Sequence, residues 1–164
     1  MRSAVRTMAA LGLAALALAA CDRLPGQGQG GGVAGGGYSS RISADASGEY
    51  APVEPVTVQG RALNGLYIGR PDDFAAWERG ERMPGYAPVM LMLDGRRIEP
   101  VSYRVTDDEV RFEGEGGVRL NARIDRDALD RARRNLGDEG AVVTGTLTVG
   151  GRTAPVSLRL QGGG

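Results

Sequence analysis

Apolar and polar residues alternate with a period of two along most of the chain after residue 40, as they do in half-buried β-strands. The clearest example is residues 141–160, where two alternating runs flank Gly150-Gly151, a pair typical of a hairpin turn. Strands are predicted near residues 56–63, 66–69, 88–93, 96–105, 110–112, 118–124, 143–149 and 153–160. The pattern therefore predicts a mainly β domain of about eight antiparallel strands, arranged as a barrel or a sandwich.

A second hairpin is predicted to turn at Asp94-Gly95. The strand after this turn is irregular, because Ile98 and Val101 fall out of phase on either side of Pro100. Proline cannot donate a hydrogen bond to a neighbouring strand, so it is confined to sheet edges, strand starts and bulges. We therefore expect a bulge or a sheet edge at Pro100.

Two short helices are predicted to interrupt the strands. The first spans residues 71–79, opens with Pro71 at its N-terminus and closes at Gly80. The second spans residues 126–136, begins with aspartates and ends before Gly137. Three apolar residues fall on one face of the second helix: Leu129, Ala132 and Leu136. That face should pack against the strands.

The first 20 residues have the layout of a secretory signal. Arg2 and Arg6 precede an apolar run of small residues from Met8 to Ala20. A helix that spans a membrane needs about 20 apolar residues, and this run is shorter. We therefore expect residues 1–20 to be a signal peptide that is removed.

The apolar run ends in Leu18-Ala19-Ala20-Cys21, and Cys21 is the only cysteine of the chain. This sequence resembles the lipobox of bacterial lipoprotein precursors. The resemblance implies that signal peptidase recognises Leu18, Ala19 and Ala20, and that Cys21 is acylated and holds the mature protein on the periplasmic side of a membrane. Asp22 resembles an inner-membrane retention signal, and an outer-membrane location stays open. The alternative is an ordinary signal peptide followed by an incidental cysteine.

Residues 21–40 are predicted to be a lipidated cysteine followed by a disordered tether. The segment 24–40 carries eight glycines and almost no apolar side chain able to pack. Such a composition cannot offset the entropy lost when a chain becomes ordered. The rest, residues 41–164, is long enough for one globular domain with a modest core.

Composition excludes several kinds of chemistry. All 20 basic residues are arginines, and the chain has neither lysine nor histidine. Catalytic Ser-His-Asp and Cys-His sites need histidine and Schiff bases need lysine, so both are excluded for this chain, and zinc sites rely mainly on histidine and cysteine. Without residues 1–20, 18 arginines would face 20 acids. That near balance gives no reason to expect nucleic acid or strong attraction to anionic lipid.

Four aromatic residues fall within a stretch of 20 residues: Tyr67, Phe74, Trp77 and Tyr86. They could line the mouth of a ligand site, because small-molecule sites often have aromatic walls. Alternatively, they could close one end of the core. They are the candidate ligand-binding residues of the chain.

Acidic clusters offer weaker candidates. Residues 107–109 and 113–115 could supply the two carboxylates of a glycosidase, but both lie at predicted turns, where acids are common. Asp125, Asp127 and Asp130 could suggest a calcium loop, but the spacing lacks the required glycine and glutamate, and helix capping explains the same residues. We therefore expect no metal, no cofactor and no catalytic residue among them.

The segment 143–158 resembles the late hairpin of the YceI-like family, whose members carry a G-x-L-T-x-x-G-x-T-x-P-V-x-L pattern. The matching residues are Gly145, Leu147, Thr148, Gly151, Thr153, Pro155, Val156 and Leu158. The resemblance implies an exported, eight-stranded, lipocalin-like barrel that binds polyisoprenoid-type lipids in its lumen. It covers about 16 residues, and no pocket residue can be transferred through it.

Together these patterns favour a membrane-anchored envelope lipoprotein whose β-domain has a binding or scaffolding role. Its partner would be an envelope protein or an apolar lipid. A YceI-like lipid carrier is the leading alternative. A third hypothesis is an envelope hydrolase, which would have to work with carboxylates, tyrosine or arginine alone.

Overall fold

A computed structural model of the protein describes residues 37–135 and 137–162. Within these residues eleven strands, rather than about eight, form one sheet and two short α-helices flank it, so the predicted mainly β fold is confirmed. The strands are β1 (Tyr38–Arg41), β2 (Gly48–Pro52), β3 (Val56–Val58), β4 (Arg61–Ile68), β5 (Val89–Leu93), β6 (Arg96–Ile98), β7 (Pro100–Thr106), β8 (Glu109–Gly114), β9 (Val118–Ile124), β10 (Val143–Val149) and β11 (Arg152–Gly162). The predicted signal peptide, Cys21 and Leu136 lie outside the described residues.

The strands follow the order β1-β7-β8-β9-β10-β11-β2-β4-β5-β6, and β3 pairs with β4. Every neighbouring pair is antiparallel except β1 and β7. Only Glu99 separates β6, at one end of this order, from β7, near the other end. The sheet therefore curls into a barrel-like shape, and one bent segment of chain links its two sides.

The bend at Pro100 confirms the irregularity predicted there. Before it, β6 pairs with β5, with Ile98 opposite Leu91. After it, β7 pairs with β8, and the register shifts between Pro100 and Ser102. Pro100 thus lies where the chain changes from β5 to β8 as its partner strand. Its missing N–H group is tolerated there, because no ladder hydrogen bond is required from it.

The helices are α1 (Pro71–Glu78) and α2 (Arg126–Arg134), close to the predicted bounds. The Asp125 carboxylate accepts a hydrogen bond from the Ala128 N–H at 2.9 Å and caps α2. The helix ends at Arg134, two residues before its predicted end, and Asn135 takes the C-terminal capping position that was predicted for Gly137.

Both helices cover the same end of the sheet. Helix α1 follows β4 and α2 follows β9, and four antiparallel pairings separate these two strands, so they point in the same direction. Phe74 of α1 and Leu129 of α2 are fully buried, so each helix packs onto the core through one of these side chains. The Arg133 side chain donates to the carbonyl oxygens of Asp45 and Ser47, which ties α2 to the turn that leads into β2.

The concave face of the sheet is filled with apolar side chains that form one cluster. Six of its large side chains are essentially inaccessible to solvent: Leu66, Leu91, Phe112, Leu120, Leu147 and Leu158. They come from strands all around the curl, so burial of their apolar surface holds the two sides of the sheet together.

The folded domain begins earlier than predicted. Strand β1, Tyr38–Arg41, includes three residues that the glycine-rich composition had assigned to the tether. It pairs in parallel with β7, with Tyr38 opposite Tyr103. A four-residue strand whose partner lies more than 60 residues away leaves no local periodic signal, so this boundary is corrected by the structure.

Candidate functional site

A groove of about 320 Å³ lies on the outer side of β2, β4 and β5. Its apolar surface comes mainly from four side chains: Tyr67, Tyr86, Met90 and Met92. Four polar side chains border it: Glu49, Asn64, Arg97 and Gln161. A concave apolar surface with a few polar groups around it is the usual form of a small-molecule site, and this volume lies at the lower end of the usual range.

Strand register places these side chains on the outer face. Tyr67 of β4 lies opposite Met90 of β5 and opposite Glu49 of β2. The neighbouring Leu66 and Leu91 point into the core, because successive residues of a strand face opposite sides. Tyr67 and Met90 thus give the outer face of β4 and β5 an apolar surface beside Glu49 of β2.

The segment between α1 and β5 folds back over this face and carries Tyr86. The Tyr86 and Tyr67 hydroxyl oxygens are 2.9 Å apart, and the ring centroids are 6.0 Å apart. Met90 is only 5% exposed although it lies on the outer side of the sheet. The two tyrosines therefore make a wall that turns part of an outer sheet face into a groove.

A glycine shapes the floor of the groove. A Cβ atom on Gly65 would lie 2.9 Å from the Tyr50 carbonyl oxygen of the neighbouring strand β2. That distance is shorter than Cβ atoms normally tolerate, so only glycine allows β2 and β4 to approach this closely. Gly65 also presents no side chain into the groove, which keeps the floor open.

The polar groups of the groove are held in place. Burial and the hydrogen bond with Tyr67 raise the pKa of Tyr86, so its phenol stays protonated at neutral pH. The Asn64 side-chain oxygen accepts from the Gly95 N–H at 2.6 Å, and Arg97 donates to the Gly85 carbonyl at 3.0 Å. With one arginine and one glutamate at its border, the groove suits an uncharged or zwitterionic ligand that has both apolar surface and hydrogen-bonding groups.

The structure separates the four predicted aromatic residues into two pairs. Tyr67 and Tyr86 line the groove, whereas Phe74 and Trp77 close the end of the core beneath α1. Phe74 is 0% exposed and Trp77 is 6% exposed, so we correct their assignment from candidate ligand-binding residues to core residues. The core hypothesis therefore describes Phe74 and Trp77, and ligand binding at Tyr67 and Tyr86 stays a prediction.

An aromatic cluster joins α1 to the first strands. Phe74 packs edge-on against Tyr103, with ring centroids 5.4 Å apart, and Tyr38 packs against both Tyr103 and Trp77. The Arg82 guanidinium lies 4.0 Å from the centre of the Trp77 ring, a favourable cation–π contact. This cluster explains how β1 is fixed at the side of β7.

The acidic clusters take part in surface contacts. The Asp107 carboxylate accepts from the Ser43 N–H at 2.7 Å and lies 3.1 Å from Arg126. Although burial opposes the shift, these contacts lower the pKa of Asp107, which is the opposite of what a general acid needs. Glu109 forms ion pairs with Arg104 of β7 and with Arg111 of its own strand, and Glu113 forms one with Arg119 of β9. This arrangement does not favour a carboxylate-based hydrolase.

The aspartates near α2 act as structural residues. Asp125 caps the helix, as described above, and Asp127 lies in the first turn, where a negative charge is favourable. Within residues 37–135 and 137–162, no group of three or more acidic, cysteine or histidine side chains is arranged to hold a metal ion.

Sequence patterns did not single out Met90 and Met92 as groove residues. A usable signal was present, because all five residues of Val89–Leu93 are apolar. A strand without polar alternation is typically covered on both faces. The run therefore indicated that something packs outside β5, although it did not identify Tyr86 as the covering residue.

Comparisons with protein-family models, with curated proteins and with solved structures found no match. In the described part of the chain, neither helix is long and apolar enough to cross a membrane. We therefore infer the function from the N-terminal sequence motif and from the groove.

The groove can be tested with the uncharged fluorescent dye N-phenyl-1-naphthylamine, which has apolar aromatic rings and one hydrogen-bonding amine. We expect dye fluorescence to rise on binding, and Met92→Glu to weaken binding at least about tenfold, because it adds a negative charge to the apolar floor. Val101→Glu is the matched control, since Val101 is 47% exposed on β7, outside the groove. Equal dye binding by both variants would contradict a ligand site in the groove.

Proposed function

We propose that this protein is a bacterial envelope lipoprotein, anchored on the periplasmic side of a membrane through acylated Cys21, whose β-domain binds a small ligand in the groove. The motif Leu18-Ala19-Ala20-Cys21 carries the anchoring part of the proposal. It follows two arginines and a short apolar run, and it contains the only cysteine of the chain. If Cys21 were an incidental residue, there would be no reason for the arginines, the apolar run, the small residues and the cysteine to occur in this order.

The groove supports binding as the role of the domain. Its aromatic wall, methionine floor and fixed polar border match the usual features of ligand sites. The composition supports binding over catalysis, because histidine and lysine are absent from the chain. The acidic clusters that could have served a hydrolase are engaged in ion pairs and hydrogen bonds.

A YceI-like carrier would use a different site. That hypothesis places an isoprenoid-type lipid inside the barrel, on the concave face of the sheet. In the part of the chain that the structure describes, large apolar side chains fill this face, among them Phe112 and Leu147. A small barrel has room for side chains or for one ligand, but not generously for both. We therefore favour the outer groove over an interior site.

Metabolic labelling tests the anchor directly. The full chain is expressed in a bacterium supplied with an alkyne analogue of palmitate, and the label is measured in membrane and soluble fractions. We expect the wild-type protein to be labelled and to sediment with membranes, and Cys21→Ser to lose the label completely, because the thiol is the acylated group.

Asp22→Ser is the matched control for this experiment. It changes the residue next to the cysteine, so it affects the choice of membrane at most and should keep the label. An unlabelled wild-type protein, or a Cys21→Ser variant that still carries the label, would contradict the proposed anchor.

A further inference from the structure

Arginines are concentrated on the outer face of β7, β8 and β9 and on the adjoining strand β1. We call this surface the arginine face, and its members are Arg41, Arg104, Arg111, Arg119 and Arg123. All five are exposed. Strand register brings them together, because Arg104 lies opposite Arg111, and the partners of Arg119 and Arg123 on β8 are Glu113 and Glu109.

Acidic residues neutralise this face only in part. Glu109 lies 3.0 Å from Arg104 and 3.2 Å from Arg111, so one carboxylate serves two arginines. Glu113 lies 3.4 Å from Arg119. The exposed Asp108 also lies beside the face, whereas Asp107 is engaged by Ser43 and Arg126.

The arginine face therefore keeps an excess of about two positive charges. The whole chain has a formal net charge of zero. Net charge averages over the surface, so the near balance seen in the composition conceals a local positive field that can attract an anionic surface. Three of the arginines, Arg41, Arg104 and Arg123, border one shallow depression together with three acidic residues, Asp107, Asp108 and Glu109.

The chain that leads from Cys21 joins the domain at this face. The Gly37 carbonyl oxygen accepts a hydrogen bond from the Tyr103 N–H at 3.1 Å, and β1 follows directly along the side of β7. The 17 residues from Cys21 to Gly37 are rich in glycine, and a chain of that composition has a root-mean-square reach of about 21–25 Å. A domain of this size is about 35 Å across. The chain from Cys21 therefore enters the domain at the side that carries β1.

We propose that the arginine face docks on the anionic phospholipid headgroups of the membrane that holds Cys21. The proposal rests on the lipid anchor proposed above, since the anchor supplies the high local concentration of headgroups. Docking would be electrostatic, so it weakens as salt screens the charges. The groove lies on β2, β4 and β5, and β10 and β11 separate these strands from β9, so the groove would stay accessible from the periplasm.

Vesicle sedimentation tests the face independently of the anchor. The mature chain, residues 21–164 with Cys21→Ser, carries no acyl chain and is mixed with vesicles of phosphatidylcholine alone or with added phosphatidylglycerol. We expect binding only to the anionic vesicles at low salt, and loss of binding at high salt. Arg41→Gln with Arg123→Gln should weaken binding about 25-fold, because each arginine near an anionic surface contributes about fivefold.

Arg131→Gln with Arg152→Gln is the matched control. It removes two exposed arginines on α2 and at the start of β11, away from the arginine face, and should change binding less than about twofold. An equal effect of the two double variants, or no preference for anionic vesicles, would overturn the proposal. A dimer of the mature chain that the Arg41/Arg123 variant dissociates would assign the face to a second copy and would also overturn it.

These outcomes are separate from those of the labelling experiment. The vesicle experiment uses unacylated protein, so it reports on the arginine face whether or not Cys21 is acylated in the cell. Labelled wild-type protein combined with failed vesicle binding would remove the docking proposal and leave the anchor intact.

Discussion

Replacing Phe74 with alanine is expected to lower the free energy of unfolding by about 3–5 kcal/mol. The side chain is fully buried beneath α1, so its removal leaves a cavity that the surrounding residues cannot fill without moving. The edge-on contact with Tyr103 is lost as well, and such aromatic pairs contribute about 0.5–1.5 kcal/mol beyond the area they bury. A loss of this size is a large part of the stability of a typical domain.

Urea denaturation measures this loss conveniently, because Trp77 is the only tryptophan of the chain and lies in the same cluster. Tyr86→Ala is the matched control, since Tyr86 is an aromatic residue of the groove wall and is only half-buried. We expect it to cost less than about 2 kcal/mol. If the two variants lost equal stability, the division of the aromatic residues into a core pair and a groove pair would be wrong.

Short-range patterns predicted the parts of the fold that depend on neighbouring residues. The hairpin at Gly150-Gly151, the helix starting after Asp125 and the irregularity at Pro100 all follow from turn glycines, a capping carboxylate or a missing N–H group. Each of these signals acts within a few residues. The hairpin, the helix start and the irregularity could therefore be predicted without knowledge of long-range contacts.

Long-range contacts decided the features that the patterns missed. Strand β1 exists because it pairs with β7, and its sequence, Tyr38–Arg41, has no apolar alternation of its own. The predicted strands near 56–63 and 66–69 are instead β3 and β4, which meet at a turn where Gln59 and Gly60 both have positive φ. Gly60 is a typical turn residue, but a non-glycine residue with positive φ such as Gln59 is uncommon, and the predicted strand therefore continued through this turn to Leu63.

The groove was only partly foreseeable for the same reason. Tyr67 and Tyr86 were singled out by their chemistry, but their separation from Phe74 and Trp77 depends on how the segment after α1 folds back over β5. That segment has few apolar residues, and its path is set by contacts such as Arg97 with the Gly85 carbonyl. Composition alone cannot distinguish a core aromatic residue from one in a groove wall.

Replacing Gly145 with alanine should destabilise the domain by about 2 kcal/mol, and by as much as 3 kcal/mol if the strands cannot separate. Gly145 lies in β10, opposite Ala122 of β9 and Val156 of β11. A Cβ atom there would collide with the Asn121 carbonyl oxygen and would lie 2.5 Å from the Ala122 Cα atom. Both are backbone atoms of a central strand, so the clash cannot be relieved by rotating a side chain.

Thermal unfolding should show this loss as a fall in Tm of about 6–10 °C. Gly37→Ala is the matched control, because a Cβ atom at that position meets no atom within 4 Å, and its effect should stay within about 0.5 kcal/mol. In the absence of a clash, a glycine-to-alanine change stabilises a protein by reducing the entropy of the unfolded chain. A Gly145→Ala variant more stable than wild type would therefore mean that β9 and β10 do not approach each other so closely. The expected loss instead gives a packing reason for glycine at this position of the hairpin motif, independent of any lipid-binding role.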